Sequence, residues 1–325
     1  MKITLSYGGG GEETNRLINE LFYRYFENEV LLKAEDAAVL NVNSKVAYTT
    51  DSFTVSPIFF NGGDIGKLSI VGTCNDLAMM GAKPKYLTCG FIIEEGLEFS
   101  ELEKITASMA EELKKIEAKI VAGDTKVVPS GSVDKVFINT SGIGEVIKEG
   151  ISAHNLSEGD VILCSGDIGR HGAVIMANRY EVETELKSDC KLLWNEVKAL
   201  IDEEIEIKAM RDATRGGVSA VLNEWVKASN VGIEIEEEKL KISDEVMGLC
   251  EMFGFEPMDL ANEGTFLVAV SSKDAKKAEE ILKKFNQNAS IIGKVVKGDK
   301  AILISPWGSK RVIELPKGEL LPRIC

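Results

Sequence analysis

Long apolar runs and paired cysteines are both missing from this 325-residue sequence. No apolar stretch approaches the roughly 20 residues needed to cross a bilayer, which predicts a soluble protein without a membrane partner. The N-terminus also lacks the basic and then apolar segments of a secretory signal, which favours a cytoplasmic location. The six cysteines are widely scattered with no CxxC pair. Neither a zinc site nor a disulfide framework is therefore indicated.

Histidine and positive charge are also scarce. The chain has 2 histidines, and its 38 basic residues face 52 acidic ones, for a net charge of -14. This balance opposes nucleic-acid binding, so a polyanionic ligand must be met by metal ions or local donors. His154 and His171 do not form a metal site by themselves. His171 follows a glycine turn, where it either contacts a ligand or is a hydrogen-bonded structural residue.

The length predicts two domains of roughly 150 residues, each with its own core. Apolar residues at helical spacing alternate with short strand-like runs in both halves, which predicts α+β or α/β architecture. Helices are predicted at 15–27, 66–80, 100–116, 172–178, 192–201, 217–228, 244–253 and 273–285. Strands are predicted at 46–50, 86–93, 118–122, 133–145, 161–165, 232–235, 265–270 and 290–296. Ser100 and Glu103 form a plausible capping box.

The two ends of the second half carry weaker patterns. Around residues 149–160 the apolar pattern fades, which marks the best candidate for a domain boundary. From Trp307 the chain gives one short strand and then LPKGELLPRIC. Its two prolines and its glycine exclude a long helix or a central strand. We therefore predict a mobile, extended tail.

Aspartates recur at predicted strand ends or beside glycine. They are Asp36, Asp51, Asp76, Asp124 and Asp212. A fixed but exposed carboxylate just past a strand suits Mg²⁺, and several together would hold the ion that bridges ATP phosphates. Turn capping is the alternative for each of them, because Asp and Gly are the usual turn residues. Five such positions in an acidic protein favour the metal interpretation.

Three glycine clusters are candidate anion-binding loops, because backbone without Cβ can direct several N–H groups at a phosphate. They are residues 8–11, Gly62-Gly63 and Gly216-Gly217. No GxxxxGK[ST] signature accompanies them, which argues against a P-loop enzyme. Flexible turns are the alternative. Arg215 adds charge beside the last cluster, so ATRGG is the best of the three.

Cys325 is the last residue, behind two prolines and next to Arg323. An exposed, mobile thiol at this position could enter an active site as a covalent carrier. Composition alone favours a terminal residue without a role, because chain termini tolerate change.

Seven segments together resemble the HypE family of hydrogenase maturation carbamoyl dehydratases. This family belongs to the superfamily of aminoimidazole ribonucleotide synthetase (PurM) and selenophosphate synthetase. The segments are EDAAVL (35–40), TTDSFTVSPIFFNGGDIGKL (49–68), NDLAMMGAKP (75–84), AGDTKVV (122–128), MRDATRGG (210–217), ANEG (261–264) and PRIC (322–325). Related ATP enzymes share the aspartates and glycines, whereas the terminal PRIC is particular to this family. The resemblance therefore makes Cys325 functional.

The resemblance implies an ATP-dependent lyase of the hydro-lyase type. A carbamoyltransferase, HypF, loads a carbamoyl group onto Cys325, and the enzyme dehydrates it to a thiocyanate while ATP becomes ADP and phosphate. The nitrile becomes a cyanide ligand of [NiFe]-hydrogenase iron, which implies the HypC–HypD iron-scaffold complex as a further partner. The fold implied is a two-domain PurM-like α+β fold. It has an ATP-binding and dimerisation domain at 1–148, a second α+β domain at 149–308 and a mobile tail at 309–325, and it forms a homodimer.

Site residues follow from the same resemblance. The cofactor-binding set for ATP and Mg²⁺ is Asp36, Asp51, Asp76, Asp124, Asp212, Gly216, Gly217, Lys67 and Asn75, with Asp36, Asp76 and Asp124 on the metal. Cys325 is the acceptor, and Lys126 and Glu263 match a polar pair that assists deprotonation. A lysine would steady developing negative charge and a partly buried glutamate would accept a proton. A surface salt bridge and a helix-end acid are the alternatives for these two residues.

Two positions depart from the family pattern. Tyr7 stands where an N-terminal histidine is usual, and Arg170 replaces the aspartate of a GDHG turn. The second change either alters the orientation of His171 or presents a guanidinium to phosphate. Two other functions also remain open. One is a small-molecule kinase or synthetase of the same superfamily, such as a thiamine monophosphate kinase. The other is an acidic scaffold that binds maturation factors through its tail.

Overall fold

The computed structural model describes residues 2–8, 12–33, 38, 40–42, 44–316 and 323–325. The chain divides into two compact units, which are described separately. Unit 1 comprises residues 1–77, 82–146 and 325, and unit 2 comprises residues 78–81 and 147–324. In the described ranges, no helix combines the length and apolar character needed to cross a membrane.

Unit 1 is built on a mixed sheet whose described strands run in the order β1-β6-β4-β5. The strands of the unit are β1 (Val46–Phe53), β2 (Phe59–Phe60), β3 (Gly63–Asp64), β4 (Ala82–Glu94), β5 (Lys119–Val128) and β6 (Val136–Val146). The helices are α1 (Glu12–Leu17), α2 (Tyr23–Phe26), α3 (Ile65–Met79) and α4 (Phe99–Ile116), and a π-helical turn joins α1 to α2. β4 and β5 are parallel, with α4 as their crossover, and β6 pairs antiparallel with β1 and β4.

Helix α3 packs closely against both the sheet and α4. A Cβ at Gly66 would lie 2.3 Å from the carbonyl oxygen of Ile105 in α4. One at Gly72 would lie 2.8 Å from the Phe53 ring of β1. Glycine at these two positions therefore permits the close approach that fixes α3 in place.

The strand register separates the aspartates of unit 1 onto two faces of the sheet. One row across the strands is Asp51, Thr140, Cys89 and Gly123, and the next is Ser52, Asn139, Gly90 and Asp124. Successive residues of a strand point to opposite faces. Thr140 is buried and hydrogen-bonds Thr73 of α3, so the Asp51 row faces the helices. Asp124 therefore lies on the other, exposed face, on the strand at the far edge from β1.

Unit 2 is built on a second sheet, whose described strands run in the order β13-β12-β9-β11-β7-β10-β8. The strands are β7 (Val161–Cys164), β8 (Ile207–Asp212), β9 (Gly232–Glu236), β10 (Phe266–Val270), β11 (Ser290–Val296), β12 (Ala301–Ile304) and β13 (Lys310–Val312). The helices are α5 (Arg170–Arg179), α6 (Trp194–Asp202), α7 (Gly217–Ser229), α8 (Asp244–Phe253) and α9 (Ala275–Lys283). All residues of β10 are buried, which explains its uninterrupted apolar sequence.

The α+β class is confirmed, and each predicted helix and strand overlaps an observed one. Four observed strands, β2, β3, β8 and β12, were not predicted. The predicted capping box was wrong, because Glu98 and Glu101 cap α4. The placement of Asp51 and Asp124 at strand ends was also wrong, because both lie inside strands, whereas Asp212 does end β8. Asp76 lies inside α3, in the helix predicted at 66–80.

Candidate functional site

Asp51 and Asp76 are brought together on the helix-covered face of the unit 1 sheet. The Thr49 hydroxyl donates to Asp76 Oδ2 over 2.7 Å. Thr49 and Asp51 are two residues apart on β1, which places them on the same face about 7 Å apart. Asn75, the residue before Asp76 in α3, is buried with 1% exposure. This arrangement offers two carboxylates and an amide from neighbouring elements.

Asp124 and Lys126 form an ion pair on the exposed face of β5. Lys126 Nζ lies 2.7 Å from Asp124 Oδ1, and the two side chains are 62% and 68% exposed. This hydrogen bond is the main reason that the pKa of Asp124 lies below its usual value. Asp124 is thus ionised at neutral pH, as a metal or phosphate site needs, but the sheet does not bring it to Asp51.

A cleft of about 600 Å³ lies beside this ion pair within unit 1. Its walls come from the N-terminal helical segment and from β4 and β5, and they include Phe22, Ala38, Phe91, Asp124 and Lys126. One wall is apolar and the other carries charge, as in sites for small ligands with a ring and an anionic group. Asp36, two positions before Ala38, lies outside the described residues.

Lys67 and the Gly62-Gly63 pair meet at the start of α3. Lys67 Nζ donates to the Gly62 carbonyl oxygen over 3.0 Å. The backbone N–H groups of Gly66 and Lys67 already donate to Asp64 Oδ1. An anion at this helix start would compete with the Asp64 carboxylate, so a turn explains the two glycines better than a phosphate loop does.

A three-carboxylate metal cluster is not formed in the part of the chain that the structure describes. In that part, no group of three or more His, Cys, Asp or Glu residues could hold a metal ion. Mg²⁺ in nucleotide sites is usually held by one or two carboxylates together with substrate phosphates. The Asp51 and Asp76 carboxylates fit that smaller requirement.

The predicted residues of unit 2 lie at the start of α7 and in the ANEG loop. Gly216 and Gly217 have φ angles of 75° and 57°, where other residues are strained. A Cβ at Gly217 would lie 2.4 Å from the Met258 carbonyl oxygen. The close approach of the Met258 backbone therefore explains why position 217 is a glycine. Asp212, at the end of β8, is 9% exposed.

Glu263 is almost fully buried, with 2% exposure. The Asp189 carboxylate accepts hydrogen bonds from the backbone N–H groups of Glu263, at 3.1 Å, and Gly264, at 2.9 Å. Burial raises the pKa of Asp189. Asp189 thus holds the backbone of the predicted proton acceptor. No motif marks Asp189 in the sequence, because it lies 74 residues away in an irregular segment.

The end of the tail is held by hydrogen bonds, and Cys325 is half-buried where an exposed residue was predicted. In unit 1, the backbone N–H of Thr54 donates to the Cys325 carbonyl oxygen over 3.0 Å. Thr54 directly follows β1, three residues after Asp51. In unit 2, the carbonyl oxygen of Ile324 lies 2.8 Å from His171 Nε2. His171 is completely buried, and its bond to Ile324 makes it a hydrogen-bonded contact of the tail.

The other five cysteines are buried. Burial raises the pKa of the Cys250 thiol to about 11 and that of Cys164 to about 12. It raises the pKa of Cys74 and Cys89 still further. Since the thiolate is the reactive form, Cys325 is the cysteine placed for covalent chemistry.

The two departures from the family pattern have local partners. Arg170 Nε donates to Asp167 Oδ2 over 2.9 Å, so its guanidinium pairs with a buried carboxylate. The suggestion that Arg170 presents its charge to a phosphate is thus not supported. Tyr7 is buried, and its hydroxyl accepts a hydrogen bond from Arg16.

Comparison with known proteins gives a consistent family. The models for AIR synthase related protein match the chain, the N-terminal domain over residues 34–146 and the C-terminal domain over residues 157–305. Carbamoyl dehydratase HypE of Escherichia coli (strain K12) is 43% identical over 99% of both chains. A crystal structure of hydrogenase maturation protein HypE in complex with ATP superposes with a TM-score of 0.96, at 38% identity and 99% coverage of both chains. The HypE of a HypE–HypF complex has a TM-score of 0.81 and 47% identity, over 92% of this chain and 99% of that one. The chain therefore belongs to the HypE family of AIR synthase related proteins.

Proposed function

We propose that this chain is an ATP-dependent carbamoyl dehydratase of hydrogenase maturation that acts on its own Cys325. The observation that carries the proposal is the contact between Cys325 and Thr54 at the end of β1. That strand also carries Asp51, whose neighbour Thr49 bonds Asp76. The terminal residue is thus held beside the strand that supplies predicted nucleotide ligands. The family relatives that carry the name carbamoyl dehydratase, and the one solved with ATP, agree with this chemistry.

The reaction begins with a carbamoyl group on sulfur, S–C(=O)–NH₂. The amide oxygen attacks the γ-phosphorus of ATP, ADP leaves, and the nitrogen loses one proton to give an S-imidate phosphate, S–C(=NH)–O–PO₃²⁻. Loss of the second nitrogen proton then forms the C≡N bond as the C–O bond breaks and phosphate departs. One oxygen and two protons leave the carbamoyl group, so the product is a thiocyanate with ADP and phosphate.

The nucleotide is held by the carboxylates of unit 1 in this proposal. Asp51, Asp76 and Asn75 supply oxygen ligands on one face of the sheet, and Asp36 and Asp124 complete the set. Mg²⁺, held by Asp36, Asp76 and Asp124, would neutralise phosphate charge when bound. Because Asp124 lies on the opposite face of the sheet, its carboxylate would join this set from the second subunit of the proposed homodimer. Asp212, Gly216, Gly217 and Lys67 act in nucleotide and tail binding. The exposure of Asp124 leaves its carboxylate accessible to a ligand.

Lys126 and Glu263 serve the proton transfers. The ammonium of Lys126 is exposed and so accessible to a ligand, which suits the stabilisation of negative charge on the carbamoyl oxygen. Glu263 is buried on a backbone fixed by Asp189, which suits a proton acceptor of defined position.

The proposal also includes partners and domain roles. HypF loads the carbamoyl group, in agreement with the relative solved as a HypE–HypF complex. The HypC–HypD complex takes the cyanide, and the chain works as a homodimer through an ATP-binding domain at 1–148, with a second domain at 149–308 and a C-terminal tail at 309–325. A reduced Cys325 thiol is required for loading, which favours the cytoplasm.

Intact-mass measurement of carbamoylated protein tests the reaction. Addition of Mg-ATP should remove the mass of one water, and peptide mapping should place the change at Cys325. A variant without Cys325 that still turns over ATP on a small substrate would favour a kinase or synthetase. An unchanged mass with an active carbamoyltransferase would reject the dehydratase.

A further inference from the structure

The peptide before Cys325 is held by a buried histidine of unit 2. His171 Nε2 lies 2.8 Å from the Ile324 carbonyl oxygen, and His171 Nδ1 lies 2.8 Å from Ser188 Oγ. His171 is fully buried and Ile324 is 7% exposed. A buried backbone carbonyl needs a donor, and here a side chain 153 residues away supplies it.

The direction of each hydrogen bond follows from the chemistry of the partners. A carbonyl oxygen only accepts, so His171 Nε2 carries the proton and donates to Ile324. Burial lowers the pKa of His171 to about 4, so the ring is neutral at pH 7 and Nδ1 is an acceptor. The Ser188 hydroxyl therefore donates to Nδ1. Ser188 Oγ in turn accepts from the backbone N–H of Cys190 over 3.1 Å.

A second contact of unit 2 holds the residue before Ile324. The Arg179 guanidinium donates to the Arg323 carbonyl oxygen. Arg323 has a φ of 54°, in the left-handed region that residues other than glycine occupy rarely. Such a conformation persists where surrounding contacts enforce it. The carbonyl groups of Arg323 and Ile324 thus each accept a hydrogen bond from a side chain of α5. Together these two bonds fix the course of the backbone at the end of the tail.

We propose that His171, oriented by Ser188, is a positioning residue that docks the tail and so presents the Cys325 thiol in one orientation for dehydration. The docking itself is independent of the reaction, whereas the role in dehydration rests on the proposed function. His171 touches neither the thiol nor the nucleotide in this proposal. It acts through the peptide bond that joins Ile324 to Cys325.

Alkylation of the full-length protein measures the docking directly. Iodoacetamide should label Cys325 first, because the other five cysteines are buried. In His171→Phe, loss of one hydrogen bond should speed labelling of Cys325 about tenfold, as followed by intact mass and peptide mapping. His171→Gln keeps an N–H donor and should label at an intermediate rate. His154→Phe changes the other, exposed histidine and should label like the unmodified protein.

Single-turnover dehydration of carbamoylated protein measures the positioning. His171→Phe should lower the rate at saturating ATP about tenfold, leave the ATP concentration for half-maximal rate unchanged, and recover in part in His171→Gln. Faster labelling without slower dehydration would refute positioning, and equal labelling of His171→Phe and the unmodified protein would refute docking. If His171→Phe does not fold, Ser188→Ala decides the question, since it keeps the ring and should shift both rates in the same directions. If the unmodified protein never loses water, the proposed function fails, and the labelling comparison still decides docking.

Discussion

The candidate site residues of the two units differ most in their exposure to solvent. In unit 1, the Asp124 and Lys126 side chains are more than half exposed and pair with each other. In unit 2, Glu263 and His171 are almost or completely buried. Hydrogen bonds join the Glu263 backbone to the Asp189 carboxylate and the His171 ring to the Ile324 carbonyl oxygen. Exposed ion pairs contribute little to stability, whereas buried polar groups that lose a partner are costly. We therefore expect substitutions of Asp124 or Lys126 to affect chemistry alone, and those of Glu263 or His171 to affect folding as well.

The largest loss of stability is expected from Gly264→Ala in the ANEG loop. A Cβ at Gly264 would lie 1.8 Å from the Asp189 carbonyl oxygen, so the backbone that carries Glu263 must move. Overpacking against backbone should lower the free energy of unfolding by about 3 kcal/mol or more. Urea denaturation measures this loss.

Gly248→Ala is the matched control for that change. Gly248 lies on the exposed surface of α8, and a Cβ added there would have no atom within 4 Å. Alanine in a helix interior is favoured over glycine by about 0.5–1 kcal/mol, so this variant should be more stable than the original chain. Equal losses in both variants would contradict the steric explanation.

The next largest effect is the pH dependence contributed by His171. Its pKa of about 4 in the folded chain lies below the ordinary 6.5, so the unfolded chain binds more protons between these values. The stability that neutral His171 contributes is complete above about pH 6.5 and is lost as the pH falls towards 4. At about 1.4 kcal/mol per pKa unit, the loss is up to about 3 kcal/mol. Urea midpoints of the original chain and of His171→Phe, at pH 7 and pH 5, should therefore converge on acidification, and parallel curves would contradict this.

Cys325→Ala should separate chemistry from stability. The Thr54 bond goes to the backbone of residue 325, which alanine retains. The free energy of unfolding should change by less than about 1 kcal/mol, while thiocyanate formation is abolished. Thermal unfolding and intact mass provide the two readings, and a large fall in melting temperature would show that the thiol itself is part of the fold.

The smallest change in stability is expected for Asp124→Ala. Its ion pair with Lys126 is exposed, so the free energy of unfolding should change by about 0.5 kcal/mol or less. The thermal shift caused by Mg-ATP should nevertheless decrease, because the variant lacks a proposed ligand. A full shift would remove Asp124 from the nucleotide site. Asp202→Ala, which breaks another exposed ion pair, is a suitable control.

Local patterns predicted the elements well and the contacts poorly. The amphipathic spacing of α4 and the apolar run of β10 are local signals, and both elements were predicted. Asp51 and Asp124 were misplaced because aspartate is usual in turns, whereas both residues continue their strands. The strand order places Asp51 and Asp124 at opposite edges of the sheet, and the register places them on opposite faces. Both features depend on pairing between strands that are distant in the sequence.

The contacts of the tail show the same limit. His171 and Ile324 are 153 residues apart, and no spacing rule links them. The resemblance to a family identified Cys325 as functional, but it did not indicate which side chains hold the residues before it. Asp189 escaped prediction for the same reason, because its role is to receive backbone N–H groups from another loop.

The location of the Asp76 carboxylate depends on two glycines of α3, which have no side chain. Gly66 and Gly72 let α3 lie against α4 and β1 at distances that a methyl group would forbid. Any side chain larger than the hydrogen atom of glycine at either position would displace α3 as a whole. The Asp76 carboxylate, one to three turns away on the same helix, would move with it. The position of the proposed magnesium ligand Asp76 is thus fixed by the close packing at these two glycines. A survey for inactive variants should find some of them at these glycines, far from any reacting atom.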